Sequence, residues 1–534
     1  TQPSLTIVST PKELKDVRLD AEVIARAIGI HPLKHVHRKP GTTAVATGKT
    51  AGKSGKTGKK SARHPKLRRN PAWKPELVTL EAALRHGGYV VRQLQPDVAA
   101  RITRHHLPGI STTPELQRWY PDGSVASQLL GFTGIEGDAG TGEGAGLEHQ
   151  FNSILQGKPG KQVTVKDPNG TVLDTVNVRK PQDGRNVTLT LSAAVQTKVQ
   201  DVLAQTVRNT RAAWATGIVM DPRTGSVIAM ATAPGYDNNQ AHMAKNVPLW
   251  RNQALQTIYE PGSTFKVVTF SAALTKGVVW PGEVFHNVPD HLAFGNKVIH
   301  DDTPHAPWDI SVRHILKISS NIGTDEIAQM VGKHDLMDWI RRFGFGNETA
   351  LRFPGEASGI VLPGRDWTTS SIGTIPIGQG IGVTAMQMAS MYQAIANGGV
   401  MVEPHILAHV QGRRPAKMWQ RRVLSPGVDS EMVSMLEGVV DDGGTGVEAT
   451  IPGYTVAGKT GTAQKPNGHG GYSNQYDASF IGFLPAQNPQ VEIMIVVDSP
   501  QTSHFGGDVA APAFEQIGAW YANHAGIKPN LAVH

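Results

Sequence analysis

The chain has no cysteine among its 534 residues, which excludes a disulfide framework, a thiolate nucleophile and a cysteine-held zinc site. It also lacks any uninterrupted apolar run long enough to span a bilayer; its richest pieces are as short as IMIVV at Ile493–Val497. The chain as given is therefore expected to be soluble. Because it begins at Thr1 rather than Met, we expect an upstream segment carrying a signal or an anchor to have been processed or left out. Acidic residues are missing from one tract. Between Lys34 and Lys74 stand 13 Lys and Arg and no Asp or Glu, which leaves 39 of the 52 basic residues against 44 acidic ones elsewhere. The net charge of +8 thus belongs to that tract. Rich in Gly, Ser, Thr and Ala, it has no apolar period with which to bury a face, so residues 34–74 are expected to be a disordered, solvated insertion.

Two binding classes are tested by the same tract. Its GKT and GKS fragments lack the earlier glycine and the preceding strand of a phosphate loop, so no nucleotide site is expected. Clustered Lys and Arg can neutralise phosphates, yet a solvated linker accounts for the composition and no nucleic-acid partner is expected. His31, His35 and His37 could face one another on a turn, but without cysteine nearby no metal site is expected there or elsewhere, and no cofactor.

What is present is an ordinary globular composition, 39% apolar and 18% charged, with 58 glycines and 35 prolines that imply many turns. The length suits several domains. AEVIARAIGI from Ala21 has helical spacing, and Val90–Ile102 reads as a strand leading into a helix started by Pro96. GFTGIEGDAGTGEGAG, from Gly131 to Gly146, is a loop, and KQVTVKDPNGTVLDTV is a hairpin turning at Asp167–Gly170. From Val187 the character changes: a short strand, a helix capped near Ser192, then a hairpin around Asp221–Gly225. Helices fill the middle, among them one that Thr384 caps and Asn397-Gly398 ends. Three strands, in YTVAGKTGTAQ, ASFIGFLPA and QVEIMIVVDS, precede a last helix near Asp508. The fold class is α+β, with an antiparallel sheet assembled from both ends of the second domain and helices packed on it.

The segment YEPGSTFKVVTF places Ser263 three residues ahead of Lys266, where Pro261 suits the start of a helix that runs to Gly277. A serine hydroxyl is a weak nucleophile until a neighbouring base takes its proton, and a lysine held neutral by burial can do so. The spacing alone is cheap, since Ser9 and Lys12 repeat it, and a helix cap beside a solvated lysine explains it equally. Two further pieces add specificity. LKISSNIGT presents Ser319, Ser320 and Asn321 at a helix junction. VAGKTGTAQ places Lys459, Thr460 and Thr462 around Gly461 on a strand, where the missing side chain allows close approach; Lys56-Thr57-Gly58 is a decoy of the same tripeptide.

In the order S-x-x-K, S-x-N, K-T-G, these pieces resemble the motif set of penicillin-binding proteins and class A β-lactamases, with Ser320 where the middle motif of that set has Asp. With GQGIGVTAMQMASMYQAIANGG and YPDGSVASQLLGFTG, the chain from about Val90 to Trp520 is similar to class B penicillin-binding proteins, most of all the septal, cell-division transpeptidases. The resemblance does not cover the basic insertion, and the membrane helix of that family is absent from this chain. It implies an N-terminal pedestal or dimerisation-like domain at 1–186 and a transpeptidase domain at 187–534, the latter serine-β-lactamase-like. It further implies peptidoglycan stem peptides ending in D-Ala-D-Ala as substrate and β-lactams as inhibitors. Ser263 would be nucleophile, Lys266 base and Ser319 proton shuttle; Asn321 would hold the substrate amide. Lys459, Thr460, Gly461 and Thr462 would bind the terminal carboxylate, with the N–H groups of Ser263 and Thr462 as oxyanion hole. A glycosyltransferase and other divisome membrane proteins are the implied partners, at the plasma membrane with the catalytic domain outside the cytoplasm. A D,D-carboxypeptidase, a β-lactamase and a non-catalytic β-lactam sensor or divisome scaffold remain open on the same residues.

Overall fold

The computed structural model describes residues 2–30, 75–134, 144–166, 172–295, 297–414 and 417–531. The basic tract 34–74, the three histidines His31, His35 and His37, and the turn at Asp167–Gly170 lie outside them, as does the middle of the Gly131–Gly146 loop. The chain divides into two compact units, Thr1–Trp119 and Tyr120–His534.

The first unit is a three-stranded antiparallel sheet in which β1 (Gln2–Ser9) lies between β2 (Gly88–Leu94) and β3 (Ile110–Gln117). Helices α1 (Val17–Ala27), α2 (Pro75–His86) and α3 (Pro96–Thr103) supply Ile24, Leu84 and Ile102 to a core shared with Ile7. Asp16 caps α1 by accepting from the N–H groups of Arg18 and Leu19, and Pro96 opens α3 as its sequence implied.

The second unit is built on five antiparallel strands, β4 (Trp214–Met220), β5 (Val227–Ala233), β6 (Ala457–Pro466), β7 (Tyr472–Leu484) and β8 (Val491–Asp498). Their order is β6-β7-β8-β4-β5, so the sheet does join both ends of the domain. Its two faces are both covered, and β8 shows why that segment reads as a continuous apolar run. Val491, Ile493, Ile495 and Val497 enter one core with α4 (Ala193–Thr210) and α9 (Ala511–His524). The alternate residues Met494 and Val496 enter the other, with α5 (Lys266–Lys276), α6 (Val312–Ile318), α7 (Asn321–Val331) and α8 (Ala385–Ala396). Local chemistry sets the ends of these helices. Ser192 accepts from Val195 N–H at the start of α4, and Thr384 and Gln387 make a reciprocal capping box on α8. Strand β6 is an edge of the sheet, and it carries Lys459 to Thr462.

Candidate active site

The turn before α5 is tighter than helical spacing implies. Gly262–Phe265 form a 3₁₀ turn and the α-helix starts at Lys266. In a 3₁₀ turn side chains at i and i+3 eclipse, so Ser263 and Lys266 line up along one side. The cause is Gly262. Its φ of +57° belongs to the left-handed region, and a Cβ there would stand 2.8 Å from Thr462 O. The Gly262 N–H donates to Gly378 O at 3.0 Å, while Tyr392 OH, buried beneath the turn, donates to Thr264 O at 2.9 Å.

Strand β6 meets this turn through Gly461. A Cβ at Gly461 would lie 2.8 Å from Pro261 O and 2.4 Å from Ser479 Oγ, so the strand carrying Thr460 and Thr462 packs directly on the segment carrying Ser263. Thr462 Oγ1 accepts from Gly506 N–H at 3.1 Å, and the hydroxyls of Thr460 and Thr445 are 2.8 Å apart. Lys459 is fully buried, and its partners among the described residues are Thr460 O and Oγ1 at 3.4 Å each. Burial, and then the charge of Lys266, hold its ammonium well below the usual lysine pKa.

Lys266 is also fully buried. Its Nζ donates to Ser319 O at 2.6 Å, Asn321 Oδ1 at 2.7 Å and Ser319 Oγ at 3.2 Å. Burial brings its pKa down to about 8 against the opposing pull of Asp302, Asp301 and Asp325. The junction that delivers Ser319 and Asn321 is sharp. Ser319 ends α6 at φ +64°, and Ser320 caps α7 by accepting from Gly323 N–H at 3.0 Å. All eight sequence-selected residues thus lie in one unit: the Ser263 turn meets Gly461 and Thr462 on β6, and Lys266 meets Ser319 and Asn321.

Several acidic residues at the site escaped the sequence reading. Asp301 accepts from the Asn321 and Ile322 N–H groups, from Ser320 Oγ at 2.8 Å and from His305 Nε2 at 3.1 Å. It is a carboxylate at the N-terminus of α7 supplied from twenty residues away, so no local capping pattern could disclose it. Asn321 is oriented from the same loop, its Nδ2 donating to His300 O at 2.7 Å. Asp325, one turn along α7, is fully buried with neither carboxyl oxygen partnered among the described residues, and burial pushes its pKa up to about 9 despite Lys266. Glu260 stands in the quoted YEPGSTFK segment but had no assigned part.

The arrangement offers a hydroxyl on a backbone-fixed turn, a buried amine of lowered pKa, and a strand edge with amine and hydroxyl donors. These are the parts of acyl transfer through a serine. Residues 215–519 match the family model of the penicillin binding protein transpeptidase domain, and residues 2–189 that of the penicillin-binding protein dimerisation domain. The chain is 32% identical over 444 residues to the peptidoglycan D,D-transpeptidase FtsI of Escherichia coli K12, covering 83% of this chain and 73% of that protein. It is 34% identical over 453 residues to the penicillin-binding protein PbpB of Mycolicibacterium smegmatis, covering 81% and 68%. Penicillin-binding protein 3 of Mycobacterium tuberculosis, solved with aztreonam, matches at a TM-score of 0.70 and 32% identity over 79% of this chain and 93% of that one. The chain belongs to the class B penicillin-binding proteins.

Proposed function

We propose that this protein is a peptidoglycan D,D-transpeptidase that cross-links stem peptides through an acyl-serine at Ser263, in septal wall synthesis. The observation that carries this reading is the buried Lys266, joined to Ser319 and Asn321 one 3₁₀ turn after a serine locked against β6. With a pKa of about 8, roughly a tenth of Lys266 is neutral at pH 7, enough to act as base.

In the first step Ser263 Oγ bonds to the penultimate D-Ala carbonyl carbon and its proton passes to Lys266 Nζ. The N–H groups of Ser263 and Thr462 take the developing oxyanion, a contribution on the order of 10²–10³ in rate. The C–N bond then breaks, and the proton reaches the leaving D-Ala nitrogen through Ser319 Oγ. In the second step an amine of a neighbouring stem peptide attacks the ester carbonyl carbon and gives a proton to Lys266 Nζ; the acyl C–O bond breaks as the amide forms, and Ser263 Oγ takes that proton back. Lys459, Thr460 and Thr462, with Gly461 leaving room, hold the terminal carboxylate of the donor, and Asn321 holds its amide through the Nδ2–H not given to His300. β-Lactams enter the same site and acylate Ser263.

In this reading 1–186 is the pedestal and 187–534 the catalytic domain, working on the outer side of the plasma membrane with a glycosyltransferase and other divisome membrane proteins. No helix among the described residues is long and apolar enough to cross a membrane. Purified Ser263→Ala is expected to fold and to lose cross-linking in a transpeptidation assay; retained cross-linking contradicts the proposal.

A further inference from the structure

Glu260 stands three residues ahead of Ser263 and takes no part in the steps above. Its half-buried carboxylate gives one oxygen to each of two partners. Oε1 accepts from Gly380 N–H at 3.0 Å and Oε2 from the Tyr472 hydroxyl at 3.1 Å. The Tyr472 ring in turn lies under a cation, with Lys297 Nζ 5.7 Å from its centroid. Burial raises the Glu260 pKa, while Gly380, Tyr472 and Lys297 oppose that rise by favouring the charged form. Burial and the Glu260 charge keep the Tyr472 phenol protonated, hence a donor.

These residues come from four segments that border the site. Glu260 leads the nucleophile turn. Gly380 follows Gly378, whose carbonyl accepts from Gly262. Tyr472 opens β7 opposite Pro466, at the end of the strand that carries Lys459 and Thr462. Lys297 opens the short strand Lys297–His300, whose last carbonyl orients Asn321 and which Asp301 follows. One chain of contacts therefore ties the nucleophile turn to the carboxylate-binding strand and to the Asn321 wall. The reacting groups come from all three, so the rate depends on their mutual placement, and a displacement of about 1 Å can cost ~10²-fold. A shared carboxylate suits this task because a hydrogen bond to an ionised acceptor is roughly twice as strong as a neutral one.

We propose that Glu260, Tyr472 and Lys297 form a brace that holds these three walls in register, making them positioning residues for acylation. The proposal rests on the reading of Ser263 as the acylated serine. The test is rapid-mixing kinetics with a fluorescent penicillin, which separates the saturating acylation rate from the initial dissociation constant. Tyr472→Phe and Glu260→Gln are each expected to lower the saturating rate ~10-fold while the dissociation constant stays within about twofold. The double variant is expected to lose little more than either single one, because both break the same link. Lys297 is exposed, so Lys297→Met leaves folding intact, and it is expected to slow acylation about threefold. Wild-type rates in all three variants, losses that multiply in the double variant, or a loss confined to the dissociation constant would overturn the brace. Absence of any Ser263 adduct in the wild type would instead overturn the site reading and the brace with it.

Discussion

In the proposed mechanism Lys266 decides whether Ser263 can react, and its environment makes the decision measurable. Below its pKa of about 8 the neutral fraction falls tenfold per pH unit, so acylation is expected to rise with unit slope to about pH 8 and then level. Lys266→Arg keeps a cation that does not deprotonate, and should lower acylation at least ~10²-fold with no such limb in its pH profile. Asp325 makes a different prediction. The folded chain holds its proton up to about pH 9, whereas the unfolded chain releases it near pH ~3.9. The folded state therefore binds more protons across that window, and its stability falls as pH rises through it. Calorimetry should find that Asp325→Asn raises Tm at pH 8 more than at pH 5; an equal change at both would show that the carboxyl is not protonated in the fold. Ser263 and Lys266 were legible in the sequence because three residues of chain bring them together. Asp301 and Asp325 were not, because what matters about them is burial and a partner helix start assembled by the tertiary fold.

Element boundaries followed local chemistry where side chains cap or break the backbone. Ser192, Thr384 and Gly277 sit where their types imply, at a helix start, a capping box and a left-handed C-terminus. Two elements differ. The first turn before α5 is 3₁₀ because Gly262 must bend against Thr462, and β7 extends to Tyr472, six residues before ASFIGFLPA, because β6 pairs with it nearly throughout. Neither cause is local in sequence. At this scale Gly461→Ala is the sharpest probe: its Cβ would press on Pro261 O, and overpacking of this kind costs about 1–3 kcal/mol. We expect a folded variant with a lowered Tm and acylation reduced ~10²-fold. Asp301→Ala removes the acceptor for two N–H groups of α7 and should cost about 2 kcal/mol in denaturant unfolding, with slower acylation.

For the whole molecule, the sheet's five strands come from both ends of the stretch 187–534, a topology that the alternation of strand and helix patterns disclosed. The division into two compact units at Trp119 and Tyr120 had no compositional mark. In the proposed reaction one serine, Ser263, carries the acyl group. Intact-protein mass spectrometry after brief exposure to a penicillin tests it directly on the wild type and Ser263→Ala. A stable single adduct is expected on the wild type alone. An adduct on both proteins, or none on either with the drug intact, would contradict it, and none with the drug destroyed would make the protein a β-lactamase.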